Sequence, residues 1–249
     1  MKALITGAST GIGRDMARNL HSRGMDLVLV ARSADLLEKL RDELDGKPEI
    51  ISLDLSSEEN CHKLYQLTKD KNIDILINNA GFGTYGFSSD VDLETELNMI
   101  DLNIKSVHIL TKLFVADFEK RNSGHVMNVA SIAAFLSGPL MSTYYATKGY
   151  VLKFSAAIYE ELRRKKKDVH VSVLCPGPVD TEFGKRAGVR FLINGHSSKF
   201  VADYAIKKML RKKFLIIPGF AVKAGAFFQR FAPTKLLLKI NYKLQCCKK

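Results

Sequence analysis

The sequence predicts an α/β fold: a doubly wound parallel sheet of about seven strands, with helices on both faces and a C-terminal helical extension. Three observations predict it. Short apolar runs alternate with segments of helical periodicity as far as about residue 218. Some runs are unbroken rather than alternating, as in "MDLVLVA" (25–31), the pattern of a strand covered on both faces. A glycine-rich turn, "TGASTGIG" (6–13), joins the first run to the first helical segment.

The elements follow in order. "KALIT" (2–6) reads as the first strand, and "IGRDMARNLHSR" as a helix carrying Ile12, Met16, Ala17 and Leu20 on one face, ended by Gly24. "MDLVLVA" is the second strand, and "SADLLEKLRDEL" opens with Ser33 as a helix cap. "EIISLDL" (49–55), "IDILINN" (73–79), "HVMNVAS" (125–131) and "VHVSVLCP" (169–176) continue the series, with helical patterns between them. "KFLIIP" (213–218) reads as the last strand. Right-handed crossovers then place a ligand crevice at the carboxyl ends of the strands. With no internal repeat or low-complexity linker, the reading is one domain, 1–218, followed by an extension, 219–249.

Composition narrows the classes of function. The 249 residues are 46% hydrophobic, enough for a large core. No uninterrupted apolar stretch reaches about 18 residues, so no membrane-spanning helix is expected. "MKALITGAS" has too short an apolar run for a signal peptide. Cys61, Cys175, Cys246 and Cys247 lack metal-ligand spacing, so no metal site is expected, and free thiols point to a reducing, cytoplasmic compartment. The net charge of +12 lies wholly in the last fifth of the chain: residues 199–249 hold 13 Lys or Arg and one acid, Asp203. Such a patch suits nucleic acid, an anionic membrane or an acidic ligand, or is simply a solvated surface. Its apolar content is too high for a groove that binds nucleic-acid strands, so no nucleic acid is expected.

The glycines of "TGASTGIG" are Gly7, Gly11 and Gly13. Glycines at a strand–helix turn let the backbone approach a pyrophosphate, which the helix N-terminus attracts through its N–H groups. Ser9, Thr10 and Ile12 complete this candidate dinucleotide turn. Taken with "NNAG" (78–81), Ser131, "YYATK" (144–148) and "PG" (176–177), it resembles the short-chain dehydrogenase/reductase family, in the family's order and approximate spacing over about residues 1–185. The resemblance implies a Rossmann-like domain that binds a nicotinamide cofactor.

Charge at the end of the second strand bears on which cofactor. An NAD site usually carries an acid there; "VLVARS" has none, and Arg32 stands in its place. A guanidinium suits a phosphate, so NADP(H) is expected over NAD(H), with Arg32 and Ser33 on the 2′-phosphate. An ordinary exposed arginine is the plainer reading. Many NADP-dependent relatives carry a second basic residue within the turn, where this sequence has Thr10. The resemblance also places Asp54 and Leu55 near the adenine, Asn79, Ala80 and Gly81 along the cofactor, Pro176 and Gly177 beside it, and Val179 and Thr181 against the carboxamide. Asp54 as a turn cap is the competing reading.

The family motif Tyr-x-x-x-Lys selects Tyr144 rather than Tyr145. Tyr144 and Lys148 are one helical turn apart and share a face, with Ser142 or Thr143 as the helix cap; Tyr145 is turned by about 100° toward a neighbouring helix or the sheet. A hydride delivered to a ketone leaves an alkoxide that needs a proton. A phenol is a weak acid for that task, and a nearby ammonium lowers its pKa. By resemblance Lys148 also binds the nicotinamide ribose, Ser131 orients the carbonyl, and Asn103 completes a tetrad by holding a relay water. Each motif alone is commonly structural; their joint order points to an active site.

The stretch from 182 to 199 matches the family's substrate lid. The extension reads as two short helices split by Pro233 and rich in Phe, Leu and Lys. Packing on protein is its preferred use, with a peripheral membrane surface or a roof over a lipid-like substrate as alternatives. Cys246 and Cys247 are a weak signal for lipidation. The leading functional expectation is an NADPH-dependent carbonyl reductase, or the reverse alcohol dehydrogenase, acting on an apolar ketone or aldehyde as a homodimer or homotetramer. A lipid-specific reductase of 3-oxoacyl chains or sterol-like ketones is the runner-up. A cofactor-sensing scaffold would be expected to lack the Tyr/Lys pair.

Overall fold

The computed structural model describes residues 1–188 and 195–246, without the side chains of 185–187. In chain order it contains β1 (Lys2–Thr6), α1 (Gly11–His21), β2 (Asp26–Ala31), α2 (Ala34–Glu43), β3 (Glu49–Ser52), α3 (Glu58–Thr68), β4 (Ile75–Asn78) and α4 (Leu93–Ile100). A π-helical turn (Asp101–Lys105) leads into α5 (Ser106–Arg121), followed by β5 (Gly124–Val129), α6 (Ser142–Arg164) and β6 (Val169–Leu174). Then come β7 (Val179–Asp180), α7 (Glu182–Ala187), β8 (His196–Ser197), α8 (Ser198–Met209), β9 (Leu215–Ile216), α9 (Phe220–Phe228) and α10 (Thr234–Cys246).

Seven strands form one parallel sheet in the order β3-β2-β1-β4-β5-β6-β9. The order reverses beside β1, so the loops after β1 and β4 diverge there and open a crevice. Alternate strand residues feed two cores. Ala3, Ile5, Leu27 and Leu29 point to the face covered by α1, α2 and α8, where Met16, Leu37 and Ile206 meet them. Leu4, Val28, Val30 and Leu76 point to the opposite face, against Leu64, Leu110, Phe114 and Phe118. Full burial of each such side chain contributes roughly 1.5–3 kcal/mol. Double coverage is why the strands read as unbroken apolar runs.

The observed strands are shorter than the apolar runs. β3 ends at Ser52, β5 at Val129 and β6 at Leu174. The residues beyond leave the ladder and become crevice wall, which needs apolar side chains as much as a strand does. Two expected caps are also absent. Ser33 occupies the cap position of α2 without a side-chain bond to it, and α6 begins after Met141 with no side-chain cap. Thr143 bonds Glu96 instead.

Pro233 separates α9 from α10 as expected. The packing of the extension differs from expectation. Val222 lies against Gly177 and Ala226 enters the core, but the buried side chains of α10 are the polar Asn241 and Gln245. The domain meets α10 there with hydrogen-bonding groups. Asn241 donates to the Ser137 carbonyl oxygen at 2.6 Å, Gln245 Nε2 donates to the Tyr145 hydroxyl at 2.5 Å, and the Tyr85 hydroxyl donates to the Gln245 carbonyl oxygen at 3.0 Å. Phe220, Phe227, Phe228, Phe231, Leu236, Ile240 and Leu244 stay exposed. Residues 189–194 of the expected lid, and Cys247, lie outside the described residues.

Candidate active site

The site starts at the carboxyl end of β1. Gly7 turns the chain at φ +63°, a conformation that favours glycine, and a Cβ there would lie 2.8 Å from Ala80 Cα. A Cβ at Gly13 would run into Asn79 and the Gly7 carbonyl oxygen. Asn79 laces the turn to β4: its Nδ2 donates to the carbonyl oxygens of Thr6 and Gly7, both at 3.0 Å. The Thr6 hydroxyl accepts from the N–H groups of Asn79 and Ala80. Thr10 caps α1 by position, without a side-chain bond to the helix. The N–H groups of the first turn therefore remain available to a ligand.

A cavity of about 470 Å³ runs from this turn to Tyr144. Gly7, Ser9, Thr10, Gly11 and Ile12 line it at one end, with Arg32, Ser33, Asp54 and Leu55 alongside, then Asn79, Ala80, Gly81, Pro176, Gly177, Val179 and Thr181. Gly13 and Asn103 do not line it; Gly13 supports the turn from below. Asp54 serves both of its readings. It borders the cavity, and its Oδ1 caps the turn by accepting from the Ser56 N–H at 3.0 Å and hydroxyl at 2.9 Å. Burial opposes ionisation of Asp54, but the Ser56 bonds and Arg32 outweigh it and hold the carboxyl below its usual range. The Arg32 guanidinium lies 3.6 Å from Asp54 Oδ2 and is largely exposed.

At the other end, Ser131, Tyr144 and Lys148 come together. All three are buried, on the loop after β5 and on one face of α6. The Ser131 hydroxyl accepts from the Ala133 N–H at 3.1 Å and is a polar neighbour of the Tyr144 phenol. Lys148 Nζ donates to the Val129 carbonyl oxygen at 3.0 Å. Burial pushes the phenol up to about 12, partly countered by the neighbouring Ser131 hydroxyl, and brings the ammonium down to about 8. The expected lowering of the phenol by Lys148 is therefore not the effect that dominates here. Desolvation raises the one group and lowers the other, and the polar group that eases the rise of the phenol is Ser131.

Asn103 sits behind the wall, fully buried in the π-helical turn. Its Oδ1 accepts from the Phe82 N–H at 3.1 Å. Its Nδ2 donates to the Phe82 carbonyl oxygen at 2.9 Å and to the Thr147 hydroxyl at 3.1 Å. The Thr147 hydroxyl in turn donates to the Tyr144 carbonyl oxygen at 2.7 Å. The residue thus ties the loop after β4 to the helix that carries Tyr144. A π turn at such a place is a frequent mark of a functional site.

Tyr145 turns toward a neighbouring helix, as expected, and that helix is α10. It also borders the cavity, together with Phe82, Leu102, Ile132, Met141 and Phe183, none of which sequence reasoning singled out. Phe82 directly follows "NNAG", which was the one available signal; the others converge from separate elements.

A family model for short chain dehydrogenases matches residues 1–189. The chain belongs to the short-chain dehydrogenase family. Human 17-beta-hydroxysteroid dehydrogenase type 3 is 31% identical to it, over 98% of this chain and 84% of that protein. A short-chain dehydrogenase from Sphingobium yanoikuyae, solved with NADPH, is 31% identical with a TM-score of 0.82, covering 92% of this chain and 93% of that one. A short-chain dehydrogenase/reductase from Burkholderia phymatum, solved with NAD, is 26% identical with a TM-score of 0.81, covering 90% and 91%. As a short-chain dehydrogenase, the protein is an NAD(P)-dependent oxidoreductase with a Rossmann-like fold. The residues present fit such a cofactor: the glycine turn excludes any Cβ at Gly7 and Gly13, and the first turn of α1 keeps its N–H groups free of side-chain caps.

Proposed function

We propose that this short-chain dehydrogenase reduces an apolar ketone or aldehyde with NADPH, or runs the reverse alcohol oxidation, with Tyr144 as the acid/base. The observation that carries the reading is the burial of Ser131, Tyr144 and Lys148 together at one end of the cavity. A bound nicotinamide supplies the hydride. Ser131 and Tyr144 present two hydroxyls to a substrate carbonyl oxygen and orient it. As negative charge grows on that oxygen, Tyr144 gives up its proton, and the phenolate left behind is stabilised by the Ser131 hydroxyl and the Lys148 ammonium. Asn103 keeps the loop at Phe82 in register with α6.

NADPH is preferred in this reading because Arg32 borders the cavity at the end of β2, where an NAD site would hold a carboxylate. Asp54, 3.6 Å from the guanidinium, offsets part of that charge. An apolar substrate is supported by Phe82, Leu102, Ile132, Met141 and Phe183 in the wall, and a sterol-like ketone by the similarity to a hydroxysteroid dehydrogenase. A homodimer or homotetramer belongs to the same reading, supported by Leu93, Leu97, Tyr150 and Tyr159, which α4 and α6 leave exposed; light scattering tests it.

The test of activity is NADPH consumption across a panel of sterol-like ketones, 3-oxoacyl thioesters, aryl ketones and small hydrophilic ketones. Turnover should be confined to the apolar members and fall at least about a hundredfold in Tyr144→Phe. Turnover that Tyr144→Phe leaves undiminished, or a preference for the hydrophilic ketones, overturns the reading.

A further inference from the structure

The extension is built with its polar face inward. Asn241 and Gln245, four residues apart, form the buried side of α10, and their hydrogen bonds to Ser137 and Tyr145 fix the rotation of the helix. Leu236, Ile240 and Leu244, also spaced by four, are thereby turned outward. Phe228 and Phe231, before α10 in the chain, are 66% and 74% exposed. A helix that buries its amides and exposes its leucines has its apolar stripe directed at something other than its own domain.

Charge identifies that something. Lys235, Lys239 and Lys243 run beside the leucine stripe at the same spacing, and all three are exposed. Lys223 and Arg230 add to them, and none of the five pairs with a carboxylate among the described residues. The sequence has no acid after Asp203. A second copy on this face would bring cations against cations with no carboxylate between them. An anionic lipid surface accepts both features, since acyl chains take the Phe and Leu side chains while lysine stems reach the headgroups. No described helix is long and apolar enough to cross a membrane, so the helices would lie in the interface plane.

We propose that the exposed face of α9–α10 docks on an anionic lipid bilayer. The proposal does not rest on the catalytic reading, because vesicle binding requires no turnover. The test is co-sedimentation of the full chain with vesicles of phosphatidylcholine and phosphatidylglycerol, compared with phosphatidylcholine alone. The protein should sediment with the anionic vesicles and be released progressively as salt rises. Lys235→Gln, Lys239→Gln and Lys243→Gln together should lower partitioning roughly a hundredfold, at about fivefold per lysine. Phe228→Ser with Phe231→Ser should also weaken it, and both variants should retain NADPH binding as proof of folding. Absence of sedimentation with anionic vesicles, or undiminished sedimentation of both variants, overturns the proposal. So does a dimer that the phenylalanine variant dissolves in a protein that binds no vesicles, which would make a second copy the occupant.

Discussion

Lys148 Nζ lies 5.8 Å from the centre of the Tyr144 ring and donates its hydrogen bond to the Val129 carbonyl oxygen, not to the phenol. Both side chains are buried, and burial acts on them in opposite directions. The ammonium titrates near 8, whereas in an unfolded chain it would titrate near 10.5. Between those values the unfolded state binds more protons, so this group makes stability rise with pH across the window and fall as pH drops toward 8. The interval amounts to roughly 3 kcal/mol. Lys148→Met should remove that dependence, which denaturant melts of the two proteins at pH 8 and pH 10 would measure. A slope retained in the variant contradicts the assignment. Tyr144 acts oppositely at higher pH: its folded value near 12 against 10 makes stability fall between 10 and 12.

The two adjacent tyrosines should separate by function. Tyr144→Phe is expected to lower turnover by at least about a hundredfold, the usual contribution of a general acid, with NADPH affinity nearly unchanged. Tyr145→Phe should keep turnover but remove the hydrogen-bond partner of Gln245, at about 1 kcal/mol of stability. Steady-state kinetics beside thermal melts distinguish them, and equal loss of turnover in both variants would count against the division.

Arg32→Ala should weaken NADPH by about ten- to a hundredfold and leave NADH almost unaffected, the scale of a charge-assisted hydrogen bond. Asp54→Asn should move the other way for NADPH, because the carboxylate 3.6 Å from the guanidinium is removed. Titration of the variants with each nucleotide decides; an Arg32→Ala protein with unaltered selectivity sinks the NADP preference.

Asn103→Ala should leave the Phe82 N–H, the Phe82 carbonyl oxygen and the Thr147 hydroxyl each short of a partner. One unsatisfied buried group costs about 1–3 kcal/mol, so a lowered melting temperature is expected together with a lower kcat, as Phe82 and α6 lose their common brace. Thr147→Val, which breaks only one of these bonds, should be milder on both counts. An Asn103→Ala protein with wild-type stability would show that the brace is unimportant.

The sheet was legible in the sequence because strands buried on two faces must be continuously apolar, and Val28, Leu29 and Val30 leave little alternative reading. The pairing of Tyr144 with Lys148 was legible because the two stand one helical turn apart in a family motif, and the glycine turn because a strand-to-helix turn is set by its own residues. The ends of β3, β5 and β6 were not, since crevice walls use the same apolar residues as strands. Nor was the bracing by Asn103, whose partners Phe82 and Thr147 lie 21 and 44 residues away. The outward face of α10 was hidden for a different reason. Periodicity reports that a helix has an apolar side, not which way that side looks; only the equal spacing of Asn241 and Gln245 carried the answer.

The π-helical turn from Asp101 to Lys105 has a further consequence. A wide turn holds more residues than an α-helical one, and each surplus residue rotates everything downstream by about 100°. The stripe on α5 that faces the sheet, Val107, Leu110, Phe114 and Phe118, is therefore out of phase with α4. Deleting a single residue from the turn would let one regular helix run through, and Asn103 could no longer point at Phe82 while Phe114 pointed at the sheet. What is constrained at this position, besides the Asn103 side chain, is a residue count: the loss of one residue from the turn dismantles the geometry.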